Sequence, residues 1–190
     1  MYTIKEDVST TLEIKDSKFI TLLKRFDKDD DLKEIMKDIK WRLPKADHYC
    51  YYYIIEDKEY GSDDGEPSGT AKAPIMNCLK KNNMSNILCV VVRYFGGTKL
   101  GAGPLTRAYS TACSNTLKHC SKIKVINGYK VKINLTYTNQ KKVDKLLKDV
   151  IILEKNYAMD IVYIALIEEK LLKQLKKLNI NITVLEEETF

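Results

Sequence analysis

Along this chain the apolar positions switch between a spacing of two and a spacing of three to four, the marks of strand and helix. Leu12 and Ile14, then Phe19, Leu22 and Leu23, predict two strands over residues 10–26 that join around Asp16-Ser17. Asp27 to Asp31 is an acidic loop suited to start a helix. Leu32, Ile35, Met36, Ile39 and Leu43 continue it as an amphipathic helix that stops before Pro44. Residues 46–55, rich in tyrosine around Tyr49, Tyr51, Tyr52 and Tyr53, predict a strand. A polar, turn-prone stretch from Gly61 to Thr70 leads into a helix over 71–81. Ile87 to Val92 is an unbroken apolar run rich in β-branched residues, the pattern of a strand buried on both faces. Leu105, Ala108, Tyr109 and Ala112 then recur at helical spacing, and that helix runs to about Lys118.

Past this point the pattern changes. Lys122 to Ile126 reads as a strand and Asn127-Gly128 as a turn. Tyr129, Val131, Ile133, Leu135 and Tyr137 alternate with Lys130, Lys132, Asn134 and Thr136, a half-buried strand. Val143, Leu146 and Leu147 mark a short helix. Residues 150–153 and 159–167 predict two strands joined near Asn156. Leu171, Leu172, Leu175 and Leu178 mark a second helix, and residues 180–185 a last strand. The order β-α-β-β-α-β is that of a ferredoxin-like unit. The fold expected is therefore α+β in two domains, residues 1–127 and 128–190.

Composition adds limits rather than chemistry. A chain of 190 residues, 44% apolar and 31% charged, has enough length for a real core. No apolar run approaches the ~20 residues of a membrane span, and the first ten residues show no secretory signal. The five cysteines are odd in number and lack CxxC spacing, so they read as reduced cysteines of a cytoplasmic protein. Net charge is +6, with residues 1–127 contributing +4 and residues 128–190 +2. That permits a nucleic-acid partner without demanding one.

Candidate chemistry concentrates after the buried run. Four of the eight glycines, Gly96, Gly97, Gly101 and Gly103, fall within eight positions, with Lys99 between them and Pro104 after. The sequence reads strand, glycine loop, helix start, since proline suits the first helical turn. Free N–H groups and the positive end of a helix dipole suit an anion such as phosphate, and Arg93, Lys99 and Arg107 would add charge. The alternative is a tight turn with solvated cations. Neither a Walker loop nor a dinucleotide fingerprint is present.

The stretch Gly61 to Thr70 contributes Asp63, Asp64 and Glu66. Asp63 and Asp64 could form Asx turns while Ser68 or Thr70 caps the next helix, or all three carboxylates could serve a site. They could hold a hydrated Mg²⁺, although no EF-hand spacing is present. They could instead pack against the cationic glycine loop through ion pairs, the reading preferred here. His48 is expected at a site edge; a zinc site lacks convincing ligand spacing, a Cys50–His48 nucleophile pair shares one strand face but has no evident orienting third group, and no metal site is assigned. The tyrosine cluster of residues 49–53 could stack bases, though core packing is the commoner use.

Residues 62–71 (SDDGEPSGTA) and 90–110 (VVVRYFGGTKLGAGPLTRAYS), preceded by residues 46–53 (ADHYCYYY), resemble the Impact/YigZ family in its two-domain bacterial form. The resemblance implies a first domain like the second domain of a small-subunit ribosomal protein and domain four of elongation factor G. It implies a second domain like that factor's last one. Its members look like nucleic-acid- or ribosome-associated factors. Eukaryotic relatives act as translation regulators in amino-acid starvation, competing for the activator of a kinase; they carry an extra N-terminal module that this sequence does not show, so that partner is not transferred. Two departures stand out: Ala71 is followed by Lys72-Ala73-Pro74 instead of a glycine, and Pro104 stands where a second glycine is common. The matched surface comprises His48, Asp63, Asp64, Glu66, Arg93, Tyr94, Gly96, Gly97, Gly101 and Arg107, with Lys99 beside it.

The expectation that follows is a cytoplasmic RNA- or ribosome-associated regulatory protein of translation, binding phosphate through residues 96–103. It needs no cofactor and no membrane, and it leaves a protein partner and the oligomeric state open. The alternative is an enzyme acting on a nucleotide or phosphorylated small molecule, with Mg²⁺ held near Asp63, Asp64 or Glu66.

Overall fold

A computed structural model describes residues 1–55, 58–178 and 180–189. The chain divides into two compact units, Met1–Lys124 and Val125–Phe190. The first unit runs β1 (Tyr2–Ile4), β2 (Val8–Ile14), β3 (Ser17–Arg25), α1 (Leu32–Arg42), β4 (His48–Ile55), β5 (Lys58–Ser62), α2 (Lys72–Lys81), β6 (Ile87–Tyr94), α3 (Ala102–His119) and β7 (Lys122–Lys124). Its main sheet has the order β2-β3-β6-β4-β5, every pair antiparallel.

The apolar run becomes the central strand β6, and its alternation explains why both faces need cover. Ile87, Cys89 and Val91 pack into one core with residues of α2 and α3, while Leu88, Val90 and Val92 pack into the other with Ile39 of α1. No side chain from Ile87 to Val92 reaches solvent. Arg93 continues the α2–α3 side by the period of two, and its cross-strand partner is His48 of β4. A polar pair of positions thus falls at the edge of a helix-covered core.

The second unit runs β8 (Asn127–Leu135), α4 (Tyr137–Leu146), β9 (Ile151–Tyr157), β10 (Ile161–Glu168), α5 (Glu169–Lys176) and β11 (Asn181–Thr189). Its antiparallel sheet has the order β11-β8-β10-β9. Val131, Ile133, Tyr163, Ala165 and Leu172 are among its buried core. The β-α-β-β-α-β order predicted from the alternation is present.

Several local expectations are corrected. Asn127-Gly128 is not a turn: Gly128 sits in the ladder between Glu168 and Glu188, so pairing on both sides overrides the turn preference. The β9–β10 connection lies at Ala158–Asp160, where Ala158 N–H donates to Asp160 O, while Asn156 is paired with Val162. Strands β1 and β5 were not expected, and β5 takes Gly61 and Ser62 out of the loop into pairing with Tyr52 and Tyr51. α2 is not capped by Ser68 or Thr70. The Thr70 hydroxyl donates to Pro67 O, and the cap comes from Asp63, as described below.

The β2–β3 turn, with Lys15 and Asp16 at positive φ, meets the glycine loop. A Cβ on Gly96 would lie 2.1 Å from the Asp16 carbonyl carbon and 2.4 Å from Ser17 N. Only glycine lets the two backbones approach this closely. Gly96→Ala is accordingly expected to cost about 1–3 kcal/mol through overpacking, read as a lower urea midpoint; an unchanged midpoint would mean the Asp16 turn yields freely.

Candidate functional site

Glu66 is the meeting point of three elements. Its Oε1 accepts 2.7 Å hydrogen bonds from both Arg93 Nη1, at the end of β6, and the Tyr109 hydroxyl, on α3. Both partners of the ion pair are buried, Arg93 at 5% exposure and Glu66 at 8%. Arg93 Nη2 also points at Ser17 Oγ, 3.5 Å away, while its buried Nε has no hydrogen-bond partner among the described residues. The guanidinium lies 5.4 Å from the Phe19 ring centre and 5.5 Å from that of Phe95, within cation–π range. Burial and the neighbouring Cys50 and Glu66 push the Tyr109 hydroxyl far above its usual range, so it serves Glu66 as a donor. The Cys50 thiol lies 3.0 Å from Asp63 O and 3.3 Å from the Tyr109 hydroxyl. Burial pushes it up to about 12, which leaves it unreactive near neutral pH.

His48 joins this group from the sheet. Its Nδ1 is 2.8 Å from Asp64 O, and a carbonyl only accepts, so Nδ1 carries the proton. Nε2 then faces Glu66 Oε2 at 3.8 Å.

The other two acidic residues serve the backbone. Asp63 Oδ1 accepts from Ala71 N–H (3.0 Å) and Lys72 N–H (2.8 Å), and Oδ2 from Gly69 N–H (2.9 Å). It thus caps α2 from a distance, taking amides a helix start leaves unpaired. Burial alone would raise the Asp63 carboxyl, but the N–H groups of Gly69, Lys72 and Ala71, together with the Lys72 ammonium, hold it below the usual range. Asp64, at φ 42°, accepts from Tyr49 N–H at 2.6 Å. Among the described residues no group of three or more His, Cys, Asp or Glu could hold a metal ion.

A cleft of about 360 Å³ opens beside this network, lined by His48, Glu66, Arg93, Phe95, Lys99 and the start of α3. Gly101 precedes the helix at φ 81°, ψ 158°, a conformation that glycine tolerates without strain. Leu105 N–H donates to Gly101 O. Pro104 has no N–H to satisfy, and the N–H groups of Ala102 and Gly103 have no acceptor among the described residues.

The structure therefore gathers His48, Glu66, Arg93, Lys99 and Gly101 around one cleft. Arg93, expected as a phosphate ligand, has its charge matched by Glu66. Tyr94 points to the opposite face, where its hydroxyl donates to Pro44 O. Gly96 lies against the Asp16 turn and Gly97 is exposed at φ 85°. Arg107 lines a separate hollow between α2 and α3. Tyr109, Phe95 and Ser17 were not singled out from the sequence. The inward helical phase of Tyr109 was its available signal, because a buried hydroxyl needs a partner. A second signal lay in the charges: from Pro67 to Lys124 there are nine Lys and Arg and no Asp or Glu.

Two predictions follow from this geometry. Glu66→Ala strands a buried guanidinium and is expected to cost about 3–5 kcal/mol, measured by denaturant unfolding; a loss under about 1 kcal/mol, as for an exposed pair, would refute the burial argument. Because the folded Asp63 carboxyl is depressed, its contribution is full above the unfolded value and lost as pH falls through the folded one. The stability difference between wild type and Asp63→Asn should hold above about pH 5 and shrink below about pH 4. A difference independent of pH would contradict it.

The family model described as Impact N-terminal domain matches residues 15–117. IMPACT family member YvyE of Bacillus subtilis (strain 168) is 35% identical over 177 residues, which is 89% of this chain and 80% of that protein. IMPACT family member YigZ of Escherichia coli (strain K12) is 36% identical over 116 residues, 58% of this chain and 57% of that protein. The match thus spans little more than half the length of the latter. A crystal structure described as that of a hypothetical protein aligns with a TM-score of 0.68 at 25% identity, covering 98% of both chains.

Proposed function

The chain belongs to the Impact family, and from that premise we propose that it is a cytoplasmic RNA- or ribosome-associated factor in translation regulation. It would hold a phosphate of its target in the cleft at the start of α3. The observation that carries this reading is the pair of unaccepted N–H groups, Ala102 and Gly103, at the positive end of an 18-residue helix that opens into that cleft. Lys99, exposed on the rim, supplies the counter-charge, and His48 Nε2 supplies a polar edge. In this reading Arg93 binds no phosphate directly; it holds Glu66 and thereby the wall of the cleft. The one-signed charge from Pro67 to Lys124 supports a polyanionic target.

The same proposal covers the finer fold names. The order β11-β8-β10-β9 with two helices supports reading the second unit as ferredoxin-like, akin to the last domain of elongation factor G. The first unit is read as akin to that factor's domain four and to the second domain of a small-subunit ribosomal protein. Lys99→Ala should weaken binding to single-stranded RNA and reduce the slope of log affinity against log salt by about one, as followed by fluorescence anisotropy over a salt series. An affinity and slope both equal to wild type would exclude Lys99 and the cleft.

A further inference from the structure

We infer that the cleft is one half of a track for single-stranded nucleic acid, continued by the hollow between α2 and α3 that carries Lys81 and Arg107. The inference rests on the phosphate reading of the cleft and adds a second subsite to it. That hollow measures about 300 Å³, and Asn77, Lys81, Thr106, Arg107 and Ser110 give it its polar lining. The two spaces adjoin along the first turns of α3: Ala102 and Leu105 line the cleft, Thr106 and Arg107 the hollow, and Ala102 and Thr106 sit one turn apart on the same face. Pro67 lines one and Gly69 the other, so the end of the acidic loop borders both.

Charge and chemistry favour a polyanion that runs from one space to the other. The hollow has no acidic residue in its lining, and the cleft's one carboxylate, Glu66, is already matched by Arg93. Neither Lys81, Lys99 nor Arg107 has an ion-pair partner among the described residues. Phe95, 43% exposed in the same cleft, offers a ring on which a base can stack. Ala102 of the cleft and Thr106 of the hollow stand one helical turn apart, a rise of about 6 Å, a step that neighbouring phosphates of an extended strand can span.

Size and stiffness select the single strand. Each space lies at the small end of ligand pockets, about right for one nucleotide. A duplex keeps its bases stacked inside and bends little over this distance, so it can lay phosphates on one rim but cannot enter both spaces. A single strand can splay a base toward Phe95 while its backbone continues to Lys81 and Arg107.

The test uses the full chain with 5′-phosphorylated oligouridylates of one, two and about six nucleotides, and a duplex of the longest length. Wild type should bind the longest single strand at least about tenfold more tightly than the mononucleotide, and more tightly than the duplex. Lys81→Ala/Arg107→Ala should abolish that gain with length while leaving mononucleotide affinity unchanged; Lys99→Ala should weaken every length. If binding depends on Lys99 but the gain with length survives the double variant, or the duplex binds equally well, the track is overturned while the cleft reading stands. If no length binds, or Lys99→Ala changes nothing, the cleft reading fails and takes the track with it.

Discussion

One buried ion pair sets the arrangement of the first unit around its cleft. Removing a guanidinium and a carboxylate from water costs several kcal/mol for each ion, and attraction between them offsets this only when remaining hydrogen bonds are met. Here a single oxygen of Glu66 takes two donors, one from the central strand and one from α3. The loop carrying Glu66 is thereby fixed to the sheet and to the helix at once. Moving any of the three elements would expose an unpaired charge or an unpaired hydroxyl to an apolar interior. The acidic loop is rigid for a second reason, since Asp63 holds three backbone amides around the start of α2.

That arrangement separates two tasks that the sequence presents as one. Arg93 and Lys99 both look like phosphate ligands when read along the chain. In the fold Arg93 is spent on internal structure, and its neutralisation removes Glu66 as a source of repulsion in the cleft. The net positive field is then left to exposed cations, Lys99 on the rim and Arg107 on the helix. A lone carboxylate beside an anion site would oppose binding; a carboxylate already paired does not.

Much of this fold was legible, because period-two and helical spacing in long segments reflect which face is buried. Ile87 to Val92 and the Tyr129–Leu135 alternation are strong signals, and both gave strands at their expected places. What escaped reading depends on partners distant in sequence. Lys58–Ser62 has no alternation of its own and is a strand because β4 offers a ladder. Asn127-Gly128 carries a strong local turn preference that two flanking strands override. The glycine loop was legible as a unit, yet the reason for Gly96 lies in a turn eighty residues earlier in the chain. The ion pair of Glu66 with Arg93 fits the expected packing of the acidic loop against the cationic glycine loop, but nothing local ties Glu66 to Tyr109, and only the helical phase of that residue hints at an inward hydroxyl. The charge asymmetry after Pro67 was available in the sequence but is masked when charges are summed over whole domains.

Strand β1 pairs with β7, so that Tyr2 lies opposite Lys124 and Ile4 opposite Lys122. The first unit is therefore stitched shut where its chain enters and leaves, like a purse closed by its own drawstring. A segment with adjacent ends can be excised and inserted into the loop of a host, or reconnected in a new order, with little demand on linker length. The Impact-type module is in that sense portable, a body whose ends meet.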